Sequence, residues 1–396
     1  MAVSRKRLLV WLAIGWFGGV GMGATQLSRS VGAAAPESQS PTAIPTPRVI
    51  PAPAATPLPR ETPLPVTPSP VTPSPIPPSP TRSRNPQPLD RLLPRVPEVR
   101  RTPQPQPEPD YRVSALQKDF RNNLWVGSWQ GLANIDPNTG RIVARVPLPN
   151  TVIGAMVQDR VGRVWVGTYT GLQRVDPRSN EITAQNFSLP SNKVLSLLID
   201  RRGFLWVGTD QGLAMISPDE GLLMTTLQRL PGESANAMTL DGEGHLWVGT
   251  LNGLVKVNTA SAFLLDRVEN LPGSTVQDLT FGPDGNLWVG TPSRLLVIDP
   301  KTGDLLRSVT AFRGKSVTSL QFDRLGFLWV GTDNGLYVVN HYNGAIVAEI
   351  PGLPSGQVLD LSTDTGNKAW VGTQEGLAWV SLTTGRAKPH RGLSRP

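Results

Sequence analysis

From about residue 111 onward the chain alternates apolar and polar positions in short pieces, each broken by Asp, Gly, Pro or Asn. The pattern is clearest in Val194 to Ile199 (VLSLLI), Phe204 to Thr209 (FLWVGT), Gly212 to Ser217 (GLAMIS) and Leu222 to Gln228 (LLMTTLQ). Apolar alternation of this length between turn formers predicts four strands of one antiparallel sheet. The quartet returns seven times, as V-x-x-L/M, an Asp and a Gly-bearing turn, L-W-V-G-T, then G-L and I-D-P. Its tryptophans, Trp125, Trp165, Trp206, Trp247, Trp288, Trp329 and Trp370, are separated by one interval of 40 residues and five of 41. A small sheet with two apolar faces cannot stand alone, but copies stacked radially bury both faces and leave only short edges. The prediction is an all-β seven-bladed β-propeller of four-stranded antiparallel blades over residues 111–396.

Residues that recur in every unit read as scaffold. Each Trp falls on a second strand, where an indole fills the wedge to the next blade. The glycine beside it (Gly127, Gly167, Gly208, Gly249, Gly290, Gly331, Gly372) permits close approach of sheets or a bulge. Gly162, Gly203, Gly244, Gly285 and Gly326 serve the first turn, with Asn122 as the tolerated substitute in the first unit. Asp119, Asp159, Asp200, Asp241, Asp323 and Asp364 open that turn and are expected to accept its backbone N–H groups. The seventh unit lacks an obvious fourth strand, because Arg386 to Leu393 (RAKPHRGL) is poor strand material. Leu89 to Val96 (LDRLLPRV) loosely echoes Leu264 to Leu271 (LLDRVENL) and is expected to pair with the seventh blade instead.

Composition changes sharply before the repeats. Pro36 to Pro109 holds 25 prolines and no glycine. A segment without long apolar runs cannot offset the entropy of folding, so residues 36–110 read as a disordered proline-rich linker. Extended at about 3.1 Å per residue, roughly 75 residues reach about 230 Å, which suits a stalk. Ahead of it Arg5, Lys6 and Arg7 precede a mostly apolar run from Leu8 to Ala24, with Ala33-Ala34-Ala35 as a small-residue cleavage site. Residues 1–35 therefore read as a signal peptide or a signal anchor, an apolar helix that spans the membrane through residues 8–27 if uncleaved. Either outcome places the propeller outside the cytoplasm, on the periplasmic side of an inner membrane or secreted.

The net charge of +8 invites a nucleic-acid reading until it is divided. Residues 1–110 carry 12 Lys+Arg against 6 Asp+Glu, a surplus of 6, which leaves 26 against 24 and a surplus of 2 for the repeats. The folded surface is not basic enough to track phosphates, and no nucleic acid is expected. There is no cysteine, so disulfides and thiolate-bound metals are excluded. No phosphate-binding glycine loop and no D-x-D-x-D-G calcium loop appears, and neither a cofactor nor a metal is expected.

The segments LQKDFRNNLWVGSWQGLANIDP, LIDRRGFLWVGTDQGLAMISP and LQFDRLGFLWVGTDNGLYVVN resemble the two-component regulator propeller repeat. The resemblance covers residues 111 to about 385. It implies an extracytoplasmic propeller that senses a ligand, often a saccharide, and that signals through attached transmitter domains. No kinase, response-regulator or DNA-binding segment follows the repeats within these residues, so recognition of an envelope protein or glycan, or envelope scaffolding, is the expected role.

Residues that break the repeat are candidates for function. Just past each L-W-V-G-T the chain reads Trp129, Tyr169, Asp210, Leu251, Pro292, Asp333 and Gln374, followed in the last unit by Glu375. Connections between blades add Asn150, Asn192, Asn236, Lys315 and Gln357 on the same face. Together Trp129, Tyr169, Asp210, Asp333, Gln374, Glu375, Asn192, Asn236 and Lys315 offer stacking and hydrogen bonding to a protein, peptide or glycan. The alternative is a propeller lyase working from the central opening with His, Glu and a divalent ion. Of the three histidines, His245 belongs to the opposite face, His341 follows a third strand and His390 lies in the tail. Two or more of Glu233, Asp241, Glu243 and His245 meeting within hydrogen-bond reach of an open pocket would favour the enzyme.

Overall fold

The computed structural model describes residues 110–148, 151–185 and 187–396. The leader, the proline-rich segment, residues 89–96 and Asn150 lie outside them. Among the described residues no helix is long and apolar enough to cross a membrane.

Seven four-stranded antiparallel sheets form, each with its strands side by side in chain order. In blade 3 these are Val194–Ile199, Leu205–Thr209, Gly212–Ser217 and Leu222–Leu227. The sequence pattern placed them to within one residue. The first strand of each blade lies against the first strand of the next, and Val113–Lys118 of blade 1 lies against Val358–Thr365 of blade 7, so the ring is closed. Second strands are buried along their whole length, whereas fourth strands such as Leu222–Leu227 are largely exposed.

The wedge tryptophans behave as the period requires. Trp125, Trp165, Trp206, Trp247, Trp288 and Trp370 are fully buried. Each removes roughly 150–250 Å² from water, on the order of 4–6 kcal/mol before costs. The glycine two residues later lets the next blade close on it. At Gly127 a Cβ would stand 2.9 Å from Ile153 Cγ2, and at Gly372 it would stand 2.5 Å from the Val113 carbonyl across the closing junction.

The turn aspartates accept backbone N–H groups as expected, and they do a second thing that the sequence reading missed. Asp200 Oδ1 takes the Arg202 and Phe204 N–H groups at 2.9 and 3.0 Å, while Oδ2 takes Trp206 Nε1–H at 3.1 Å. The same indole bond forms to Asp119, Asp159, Asp241 and Asp323. Blade 5 has Gly282 in that place, and Trp288 Nε1 is left without a partner. Blade 7 also departs from the expected turn. Trp370 Nε1–H donates to the Thr365 carbonyl at 3.1 Å, and Asp364 instead accepts from Arg324 of blade 6, at 2.7 Å from the backbone N and 3.0 Å from Nε.

The first strands are laced to one another by side chains. Ser114 Oγ donates to the Ile153 carbonyl, Asn236 Nδ2 to Val276 and Thr318 Oγ1 to Val358, each from the second position of its strand motif to the next blade. Where that position holds Leu195 or Leu359, the following residue makes the tie: Ser196 Oγ to the Ala235 carbonyl, and Asp360 Oδ2 from the Leu116 N–H at 2.6 Å. Asp278 accepts the Leu320 N–H at 2.6 Å in the same way. Between blades 2 and 3 Gly154 has no side chain to offer, and the Val194 carbonyl approaches so closely that a Cβ would overlap it.

Asp278 and Asp360 lie within the crowded ring of first strands, and loss of hydration pushes both carboxyls up to about 7 against the backbone N–H groups that stabilise the anion. Asp360 raises Asp278 further by like charge.

The tail requires a correction. Arg386–Ser394 is the fourth strand of blade 7, so the place expected for residues 89–96 is filled by the chain's own end. An edge strand pairs on one side only, so it tolerates Pro389, which sits opposite Ala378. Ala387, His390 and Leu393 are buried, and His390 Nε2 lies 2.7 Å from the Gly140 carbonyl of blade 1.

Two outcomes follow for stability. Asp200→Ala should cost about 2–4 kcal/mol by orphaning three donors, which thermal denaturation checks. In the unfolded chain Asp360 ionises near its ordinary value of 3.8, and in the folded ring near 7. The folded state therefore holds a proton that the unfolded state has lost, a stabilisation complete below that ordinary value and lost as pH rises through about 7. Asp360→Asn should flatten the fall in melting temperature between pH 5 and pH 8.

Candidate functional site

The start of a first strand pairs with the end of the second, as Val194 does with Thr209. The second-to-third turns and the connections between blades therefore share one face of the ring, the rim face. Each turn is fixed by the hydroxyl that ends the second strand, as where Thr168 Oγ1 donates to the Gly171 carbonyl at 2.7 Å. The next residue is pinned by its own N–H, Tyr169 to the Val152 carbonyl and Asp333 to that of Ser316. Both bonds hold the backbone and so fix where the side chain at this position begins.

Trp129 and Tyr169 are 39% and 45% exposed, in consecutive blades. Lys193 Nζ stands 5.1 Å from the centre of the Tyr169 ring, a cation–π contact. Arg112 is held above its ordinary range first by its hydrogen bond to Asp110, with a smaller contribution from the Tyr169 phenol. Beside this group a hollow of about 250 Å³ opens in blade 2, lined by residues that include Gln173, Gln185, Phe187 and Asn192. Gln173 Oε1 is buried without a partner. Of the sequence candidates, Asn192 lines this hollow, and Tyr169, in contact with Lys193, directly precedes Thr170 of the lining. Gln173 was missed, although the repeat marks it: opposite the second-strand valines the other blades have Ala133, Ala214, Val255, Leu296, Tyr337 and Ala378.

The remaining candidates are spread around the rim and several are already engaged. Asn236 is part of the inter-blade lacing, with its backbone N–H on Gly249 as well. Lys315 Nζ lies 2.9 Å from Tyr337 Oη and stacks on that ring. Glu375 pairs with Arg395 at 3.3 Å. Asp333 is exposed and Gln374 is half-buried. Asp210 Oδ1 is buried and unpartnered, as is Ser234 Oγ in the adjoining connection, where the Ala235 N–H bonds to the Thr209 carbonyl.

The lyase constellation assembles only in part. His245 Nδ1 lies 3.2 Å from both Asp241 Oδ2 and Glu243 Oε2, and the three donor atoms are close enough to share a cation. Lys256 Nζ, however, already stands 3.1 Å from Asp241 Oδ2, and Trp247 Nε1–H donates to the same oxygen. Burial pushes Asp241 up, but the His245 N–H and the Lys256 ammonium outweigh it and hold the carboxyl below its ordinary range. The cluster is the blade-4 copy of the turn device with its acceptors in use. Neither the blade 2 hollow nor a second cavity, between blades 1 and 2, is lined by it. His341 bonds to the Gly326 carbonyl and His390 to that of Gly140, so the histidines do not converge.

A family model described as "Two component regulator propeller" matches residues 147–170, 188–211, 229–252, 270–293 and 311–334, each match starting 41 residues after the one before. Five segments of the chain are thus two-component regulator propeller repeats. The five matches lead into blades 2 to 6, each ending within a rim turn. No curated protein matches the sequence. Among solved structures, the extracellular domain of a hybrid two component system from B. thetaiotaomicron is 24% identical, with a TM-score of 0.60 over 68% of this chain and 38% of that one. A second such domain from the same organism is 20% identical, with a TM-score of 0.59 over 69% and 40%. The chain thus spans about two fifths of the length of these domains. Virginiamycin B lyase from Staphylococcus aureus is 17% identical, with a TM-score of 0.51 over 60% of this chain and 83% of the lyase. At these identities the likeness is one of fold.

Because Trp129 and Tyr169 contribute to the surface rather than to the wedges, their joint replacement by alanine should cost less than about 1 kcal/mol, whereas Trp165→Ala should cost about 3–5 kcal/mol. Thermal denaturation separates the two.

Proposed function

We propose that this propeller is a non-catalytic, extracytoplasmic recognition module that binds an envelope protein, peptide or glycan on its rim face. The observation that carries the reading is the meeting of Tyr169, Lys193 and Asn192 beside a hollow whose Gln173 carbonyl oxygen has no partner. An exposed aromatic ring with a cation on it supplies a stacking surface, and an unpartnered amide supplies an acceptor that a bound hydroxyl or N–H satisfies. The extracytoplasmic placement is supported by the basic and apolar leader and by the fold shared with extracellular sensor domains. Residues 8–27, if uncleaved, tether the module to the membrane. The described residues of the lining offer amide and hydroxyl groups, which suit recognition.

Crosslinking on intact cells, comparing the wild-type chain with a Trp129→Ala, Tyr169→Ala variant of verified fold, tests the reading. A specific protein or glycan should disappear from the variant's crosslinked set, and Gln173→Leu should weaken the same species. An unchanged set in both variants would show that the rim hollow is not where this protein binds.

A further inference from the structure

The face opposite the rim carries a larger cleft, of about 470 Å³, between blades 1 and 2. Among its lining is Asn134, which is 6% exposed and whose Oδ1 is buried without a partner. Asn134 lies opposite Trp125 on the third strand of its blade. The other blades put Arg174, Met215, Lys256, Val297, Val338 and Trp379 in that position. Arg174 and Lys256 lie over the tryptophan of their own blade at 5.7 and 5.5 Å, covering the space that the short Asn134 leaves open.

The walls are held in place. Gln158 of blade 2 accepts the Phe120 N–H at 2.7 Å and donates to the Gly162 carbonyl at 2.8 Å, so the first turns of both blades are fixed across the cleft. Phe120, Val143 and Val161, 70%, 53% and 65% exposed, give the cleft apolar sides. Its charge is unbalanced towards the positive. Arg163 is engaged with Asp159 and Asp219. Asp119 and Asp176 accept backbone N–H groups of their own turns. Among the described residues no carboxylate pairs with Arg121 or Arg178, which also line the cleft.

A ligand that matches all three features carries an anion for the guanidinium groups, an N–H for Asn134 Oδ1 and an apolar branch for the walls. A sugar acid or inorganic phosphate has the first without the last. We infer that the cleft binds the free carboxylate end of a short peptide whose last side chain is apolar. Arg121 and Arg178 attract the carboxylate, Asn134 accepts a peptide N–H, and the terminal side chain lies against Phe120, Val143 and Val161. This site is separate from the rim hollow and does not depend on it.

Calorimetric titration of the full-length chain with the tripeptide Ala-Ala-Leu and with its C-terminal amide tests the inference. The acid should bind saturably, with a dissociation constant in the millimolar range or tighter, and the amide at least about tenfold more weakly. Exchanging the exposed Arg121→Gln and Arg178→Gln together should remove the difference between the two. Asn134→Leu, checked for an unchanged melting temperature, should weaken both peptides by the same factor. The rim change Tyr169→Ala should leave both affinities as they were. Absence of saturable binding by either peptide, equal affinity for acid and amide, or an equal loss from Tyr169→Ala would overturn the inference.

Discussion

An indole that fills the wedge between two sheets carries one N–H into a place where water cannot follow, and that N–H needs an acceptor. In blades 1, 2, 3, 4 and 6 the acceptor is the aspartate that opens the first turn, six residues before the tryptophan. One carboxylate thus closes the turn with one oxygen and anchors the wedge with the other. The pairing fixes where the second strand begins relative to the core and therefore where it ends. The rim turn follows at once, so the rim side chains inherit their positions from a bond at the opposite end of the blade.

Around the axis the first strands solve a different problem. Seven strands converge, and their outward-facing backbone groups meet neighbours with which they form no ladder. Short polar side chains bridge these gaps one junction at a time, shifting by one position wherever leucine occupies the preferred place. Asp278 and Asp360 use an acceptor for an N–H where the serine, threonine and asparagine ties use a donor for a carbonyl. Their carboxyls carry the cost of crowding as raised proton affinity, which makes these two junctions chemically unlike the rest.

Much of this was legible in the sequence because a repeat compares itself with itself. The tryptophan interval gave the blade number, and the turn residues gave the strands of blade 3 to within one position. The constant Asp-to-Trp spacing of six residues was also in view, yet it misleads once: Asp364 and Trp370 keep the spacing without the bond, because Gly366 and Asn367 take up a tighter turn. The last strand was hidden by Pro389 and its basic neighbours, which a central strand would reject and an edge accepts. Asn236 and Lys315 looked available because sequence cannot show a side chain already hydrogen-bonded across a junction. Gln173 and Asn134 break the repeat on third strands rather than in the loops, where variation is expected. That each ends as a buried amide oxygen facing an open space is a property of packing, invisible until neighbouring blades are in place.

The seventh blade is completed by its own fourth strand, so among the described residues no strand is shared across the seam. Every hydrogen-bonded ladder joins strands that are consecutive along the chain, whereas Leu116 and Asp360, which meet at the seam, are 244 residues apart. The entropy of bringing such distant segments together, on the order of 5 kcal/mol, falls on a single event rather than being divided among the blades. Blades can therefore acquire their secondary structure early and one after another, while the ring as a cooperative object comes into being only at the last encounter. Until then blades 1 and 7 each present an uncovered apolar face, and it is this open arc, more than any individual strand, that sets the protein's exposure to misassembly.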